Sequence, residues 1–361
     1  MRSTMMLALV ALLAACSGQA DSAPDAGALD GAADASAPGN LPELDVGVLA
    51  TTLESSKVVS SSGGVTVLDV VYRSQGLAIR GRICRPTADG KYPTLLLDHG
   101  GVDGFGQADF DACVSSAQNG WVAALSAYRG EGGSEGAIEF CKGEVVDVRN
   151  LLEILRHAPY VDPARVGAMG WSHGGCITLR LAQLGAPLAA IVNFFGPTDM
   201  AAQYSFMAAA TTTTTNPTTK AQYDRLLSLL TNAAGGPPSK APLEYATRSV
   251  VARPHALASF AGSVLTIAGV DDEIVPAAQS CDLHAKLGTT ENYHVQSNGT
   301  LIGTSPNGCS GLSGWKTALP DAKWPAARYL ILYDGMGHET SSNAGKAAFA
   351  AAVAFVAAKI P

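Results

Sequence analysis

From residue 65 onward, apolar runs of strand length alternate with stretches of helical length, the pattern of an α/β sheet whose strands run mostly parallel. The apolar runs predict strands at 65–73, 77–84, 94–98, 121–127, 165–169, 189–195, 263–269 and 328–333. Helical spacing predicts helices at 107–119, 143–157, 173–184, 276–287 and 343–358, lying on both faces of the sheet. Only Ser74-Gln75-Gly76 separates the first two strands, so they are expected to form a hairpin; the remainder of the roughly eight strands are expected to be parallel. Two stretches exceed the usual connection of roughly 4 to 6 residues. The first, 201–260, holds a threonine run at 211–215, a predicted helix at 221–232 and a Gly-Gly-Pro-Pro break at 235–238. The second, 289–327, holds Cys309, Trp315 and Trp324. Both leave the sheet where its strands end, which makes them candidate lids near an active site.

The first 45 residues follow a different pattern. Met1-Arg2 opens a run at 5–15 (MMLALVALLAA) that is shorter than the roughly 20 apolar residues of a spanning helix and reads as an export signal. Leu13-Ala14-Ala15-Cys16 resembles the lipobox of bacterial lipoproteins, which implies lipidation of Cys16 and anchoring to a membrane; a plain secretory cut after Gly18-Gln19-Ala20 is the alternative. Residues 17–45, rich in Ala, Asp, Gly, Ser and Pro, lack apolar periodicity and are expected to form a flexible tether. The chain thus divides into a signal at 1–16, a tether at 17–45 and a body at 46–361.

That division also sorts the charge. The whole chain carries 24 basic and 31 acidic side chains, a formal charge of −7. Arg2 and six of the acids fall in the first 45 residues, leaving the body nearly neutral and without the basic stripe that neutralises phosphates. Nucleic acid is not an expected partner. A body of this length with 47% hydrophobic residues can bury a large core, which excludes disorder and a small disulfide scaffold. Besides Cys16, the cysteines are Cys84, Cys113, Cys141, Cys176, Cys281 and Cys309, in a chain expected to reach an oxidising compartment. Cys281–Cys309, flanking one long irregular stretch, and Cys113–Cys141, flanking a strand and loop, are the expected disulfides, with Cys176 a small apolar thiol in a buried helix. No spacing matches a zinc site, and neither a metal nor a cofactor is expected.

Two windows match GxSxG, and a chain with 39 glycines can produce such a match by accident. Gly132-Gly133-Ser134-Glu135-Gly136 lies in a loop several residues past its strand. Gly170-Trp171-Ser172-His173-Gly174 instead follows the strand 165–169 directly and leads into a helix, the context of a nucleophile elbow. A serine hydroxyl needs a base, and a carboxylate to orient that base, in the chain order Ser, Asp, His. Two acids, Asp271 and Asp272, follow the strand 263–269, and His338 follows the strand 328–333 in Asp334-Gly335-Met336-Gly337-His338. Gly101 and His173 are the candidate backbone N–H donors for an oxyanion, His99 serving to orient its loop. His157, His255, His284 and His294 read as surface or helix-end residues.

The run from His99 to His338 resembles the catalytic domain of the prolyl oligopeptidase family and the neighbouring dienelactone-hydrolase-like group. The resemblance is carried by DHGG at 98–101, YRG at 128–130, PYVDPARVGAMGWSHGG at 159–175, GVDDEIVP at 269–276 and GMGH at 335–338. It implies an α/β-hydrolase fold for the body and, through the pattern GxxDxxVP, selects Asp272 as the acid, with Asp271 a solvated loop residue. Dienelactone hydrolases use a cysteine nucleophile, whereas this chain has Ser172; oligopeptidases place a β-propeller before the hydrolase domain, and only short elements precede His99 here. The expected function is therefore an exported serine hydrolase acting on carboxylic esters through an acyl-enzyme on Ser172. A peptidase for short peptides is the alternative, and a non-catalytic binding module the third. Trp315 and Trp324 are expected either in an acyl pocket or in the core.

Overall fold

One edge of the sheet is made by neighbours in sequence. β1 (Ser55–Ser62), β2 (Val65–Ser74) and β3 (Leu77–Pro86) form an antiparallel ladder. Gln75 at φ 49° and Gly76 at φ 85° close the β2–β3 hairpin in the left-handed region that matches strand twist. The structure, a computed structural model, describes residues 41–288, 290–320 and 322–361. The signal at 1–16, Cys16 and the tether as far as residue 40 lie outside the described residues.

The strands β4 (Tyr92–Asp98), β5 (Val122–Ser126), β6 (Val161–Trp171), β7 (Ala190–Phe194), β8 (Ser263–Gly269) and β12 (Arg328–Tyr333) form the parallel centre. The far edge holds β9 (Glu291–Val295), β10 (Leu301–Ile302) and β11 (Trp315–Lys316). The order is β1-β2-β3-β5-β4-β6-β7-β8-β12-β9-β10, with β11 on β9. Every residue of β5, β7, β8 and β12 is buried, as expected where helices cover both faces. One apolar cluster packs α2 (Gly143–His157), α3 (His173–Gln183) and α8 (Ala277–Leu287) on one face. The other packs α1 (Gln107–Gln118) and α9 (Asn343–Lys359) on the opposite face.

Sequence pattern and structure part at the sheet edges. β1 is exposed at all its positions, so no apolar alternation marks it. The stretch 289–327 is not a lid: it turns back as β9 to β11 and widens the sheet beyond β12. Trp324 packs edge-on against Tyr329 and Phe355 in the core, and Trp315 lies beside His294. The stretch 201–260 folds into α4 (Met200–Thr213), α5 (Pro217–Ala234), α6 (Pro242–Arg248), a 3-10 turn at Val250–Ala252 and α7 (Pro254–Ala258). α5 carries its own boundary signals: Asn216 caps it, Pro217 opens it, and Gly235 at φ 76° ends it.

The disulfides are Cys84–Cys113, Cys141–Cys176 and Cys281–Cys309. The expected Cys113–Cys141 pair is thus corrected, and Cys176 is no free thiol. Cys113 lies on α1, which packs over β3 and meets Cys84 there, while the loop carrying Cys141 folds back onto α3. Flanking the same loop does not bring two cysteines together; packing of helix on sheet does. His284 and His294 are likewise buried rather than at the surface.

Candidate active site

β6 delivers Ser172 to the top of the sheet. The chain turns from β6 into α3 with Ser172 at φ 51°, ψ −117°, and this turn requires glycine on either side. A Cβ on Gly170 would lie 2.2 Å from the Gly174 carbonyl oxygen, and one on Gly174 would lie 1.9 Å from that of Asp98. Ser172 N–H donates to Phe194 O at 2.9 Å and its carbonyl accepts from Cys176 N–H at 3.2 Å, so the strained residue is held from both sides.

The loops after β8 and β12 meet it. His338 Nε2 lies 2.9 Å from Ser172 Oγ, and His338 Nδ1 lies 2.8 Å from Asp272 Oδ2. Asp272 is aimed by its own turn: Oδ1 accepts the N–H groups of Ile274 and Val275, both at 2.8 Å. Asp271 is exposed, yet it is not merely solvated, since its carboxylate accepts Gly335 N–H at 2.6 Å and latches the acid loop to the histidine loop. Phe195 packs its ring 4.5 Å from that of His338, a contact with no signal in the sequence.

The loop after β4 brings Gly101 to the other side of Ser172. Gly101 stands at φ 75°, and neither its N–H nor that of His173 donates to a protein acceptor among the described residues. His99 stacks on Tyr128 at 4.1 Å, and burial lowers its pKa to about 4, so its ring is neutral and orients the loop. Ser134 sits in the β3-side loop, accepting Arg80 N–H, far in role from the elbow. The YRG motif has a structural explanation: Arg129 is buried against Asp147, with Nη2 donating to Oδ1 at 2.8 Å, and fixes the loop that continues to Cys141.

A cavity of about 560 Å³ opens above these residues. Its floor is Ser172, Gly101, His173 and His338; α4 and α5 close it with Met200, Met207, Leu226 and Leu230. No Lys or Arg lines it. Its two carboxylates, Asp109 and Glu339, are engaged by the backbone at the starts of α1 and α9: Asp109 accepts Gly106 N–H at 2.8 Å and Glu339 accepts Ser342 N–H at 2.7 Å. Among the described residues no three His, Cys, Asp or Glu side chains gather where they could hold a metal. A hydroxyl, an imidazole and a buried carboxylate in line, beside two unpaired amides, form the arrangement for acyl transfer through a serine nucleophile.

Fold and site together define the class: the protein is a serine hydrolase of α/β-hydrolase fold. The sequence profile of the X-Pro dipeptidyl-peptidase (S15) family matches residues 75–237. An uncharacterized peptidase of Bacillus subtilis, YtmA, is 26% identical over 236 residues, covering 65% of this chain and 84% of its own. Among solved structures, acetyl xylan esterase 1 from Thermoanaerobacterium superposes with a TM-score of 0.57 at 17% identity, over 82% of this chain and 85% of that one. Acylaminoacyl peptidase from Pyrococcus horikoshii superposes with a TM-score of 0.55 at 16% identity, over 79% of this chain and 40% of that one. At such identities the two structures are likenesses of fold.

Proposed function

We propose that this protein is an exported esterase that cleaves small, uncharged carboxylic esters through an acyl-enzyme on Ser172. The observation that carries the reading is the continuous Ser172–His338–Asp272 hydrogen-bond chain beneath an apolar cavity. Ser172 Oγ attacks the ester carbonyl carbon while His338 Nε2 takes its proton, and Asp272 holds the Nδ1–H tautomer. The N–H groups of Gly101 and His173 stabilise the tetrahedral oxyanion. Collapse expels the alcohol, which leaves with the proton from Nε2. Water then gives a proton to His338 and attacks the acyl group, releasing the acid and restoring Ser172.

Preference for esters over peptides is argued from charge. An exopeptidase must neutralise a substrate ammonium or carboxylate in its pocket, and a buried charge without a partner costs several kcal/mol. No cation lines the cavity to pair a substrate carboxylate, and its two acids, Asp109 and Glu339, each accept a backbone N–H that offsets part of their charge. Cleavage of short peptides is the second reading, favoured by the S15 profile and the Bacillus subtilis relative. Purified protein should hydrolyse p-nitrophenyl acetate and butyrate at least tenfold faster, in kcat/KM, than any dipeptidyl or aminoacyl p-nitroanilide. Ser172→Ala should abolish both turnover and fluorophosphonate labelling. A preference for an anilide would move the reading to a peptidase, and retained activity in Ser172→Ala would sink the nucleophile.

Export and membrane tethering through Cys16 belong to the same proposal. The lipobox-like sequence supports it, as do three disulfides of the kind that persist in oxidising compartments.

A further inference from the structure

The loop that brings Gly101 to the site, residues 99–106, contains Gly100, Gly101, Gly104 and Gly106, and a backbone so free of side chains does not hold a hydrogen-bond donor in place by itself. It is fastened from outside. Tyr128 OH donates to His99 O at 3.2 Å, Gly104 N–H donates to Glu131 Oε2 at 2.8 Å, and Arg225 pairs with Asp103. Among the described residues, the only side-chain hydrogen bond to Gly101 comes from the residue after the nucleophile: His173 Nδ1 lies 3.1 Å from Gly101 O.

The ring's other nitrogen settles what that contact is. Cys141 N–H donates to His173 Nε2 at 3.3 Å, and an amide nitrogen can only donate. Nε2 is therefore the bare nitrogen, and Nδ1 carries the hydrogen, which it gives to the Gly101 carbonyl. The ring is buried, with Phe140 at 5.3 Å and Tyr128 at 5.8 Å, and burial lowers its pKa, so it stays in this neutral tautomer. The Cys141–Cys176 disulfide ties the residue that supplies the Nε2 partner to the helix that begins with His173.

We infer that the His173 ring positions the oxyanion donors: the residue supplies one through its backbone N–H, and its imidazole sets the spacing to the other by its grip on Gly101. The inference rests on the reading of Ser172 as nucleophile. Because the oxyanion exists only in the tetrahedral state, the grip matters to the transition state and not to ground-state binding.

Two substitutions separate hydrogen bonding from packing. His173→Phe keeps an aromatic ring between Phe140 and Tyr128 but has no donor; His173→Asn places an amide near the Nδ1 position and gives up the ring. With p-nitrophenyl acetate, the Phe variant should lose 10- to 100-fold in kcat with KM within threefold of wild type. Its inhibition constant for benzeneboronic acid, which forms a tetrahedral adduct on the serine, should rise in proportion to the kcat loss. The Asn variant should keep at least a third of wild-type kcat. A fully active Phe variant, an Asn variant as slow as or slower than Phe, or a kcat loss with unchanged boronate affinity would each overturn the inference. If the Phe variant does not fold, as judged by circular dichroism, His173→Leu is read in its place. Ser172→Ala is the parallel control: if it still turns over, the nucleophile reading falls; if it is silent while the Phe variant is unimpaired, only the role of His173 falls.

Discussion

Asp98 and Glu131 stand directly behind the site, and burial raises both acids. Asp98 is pushed up to about 7 by loss of solvent, with Thr178 Oγ1 donating to it at 2.6 Å. Glu131 is pushed up to about 8, again chiefly by burial, and the only hydrogen bond to its carboxyl among the described residues is from Gly104 N–H. A carboxyl whose folded pKa lies above its unfolded value binds more protons when folded. Its stabilising contribution is complete below the unfolded value, near 4.5, and is lost as pH rises through about 8. Glu131→Gln keeps an acceptor for Gly104 and cannot ionise. Its melting temperature relative to wild type should therefore be flat below pH 4.5 and climb between about pH 5 and 8; a difference independent of pH would show that Glu131 titrates in the fold as it does in the unfolded chain. Neither acid could be singled out from the chain, because both sit in glycine-flanked motifs and their burial comes from elements far away in sequence.

α4 and α5 are more than a cover over the cavity. Gln203 on α4 donates to Ile274 O at 2.7 Å, and Tyr223 OH on α5 donates to Glu273 O at 2.5 Å, so both helices grip the loop that carries Asp272. Arg225, a helical half-turn further on, reaches Asp103 on the oxyanion-side loop. The insertion thus spans the mouth and is pinned to both sides of it. Arg225 and Asp103 are exposed, and such pairs contribute about 0 to 1 kcal/mol. Arg225→Ala should accordingly leave the melting temperature nearly unchanged. It should raise KM for p-nitrophenyl butyrate several-fold by loosening one side of the mouth, while labelling by a small fluorophosphonate continues. An unchanged KM would show that the Arg225–Asp103 pair does not help hold α5 at the mouth. Of these helices only α5 was legible in part, at 221–232. α4 reads as an alanine and threonine run because it buries just Met200, Gln203 and Met207, too few to impose a periodicity.

At the scale of the molecule, the proposed lipid anchor is tested apart from the folded body. If Cys16 is lipidated, wild-type protein should partition into the membrane fraction and incorporate labelled palmitate, whereas Cys16→Ala should do neither while retaining its hydrolase activity in soluble form. Equal solubility of both proteins would reduce the signal to plain secretion. None of the helices among the described residues is long and apolar enough to cross a membrane. The sequence by itself determined the central strands and their flanking helices, because a strand covered on both faces must be apolar throughout and a covering helix must carry an apolar stripe. It also determined Ser172 and His338 as candidates and narrowed the acid to Asp271 or Asp272, since a tight strand-to-helix turn and two strand-end loops leave local marks in glycine and chain order; the choice of Asp272 came from the resemblance of GVDDEIVP to the family pattern. Tertiary structure alone decided the partners of Cys84, Cys113, Cys141 and Cys176, the latch from Asp271 to Gly335, the widening of the sheet by β9 to β11, and the two hydrogen bonds of His173. Each of these joins segments brought together by helix-on-sheet or loop-on-loop packing, and packing of that kind leaves no periodicity or spacing in the chain to be read.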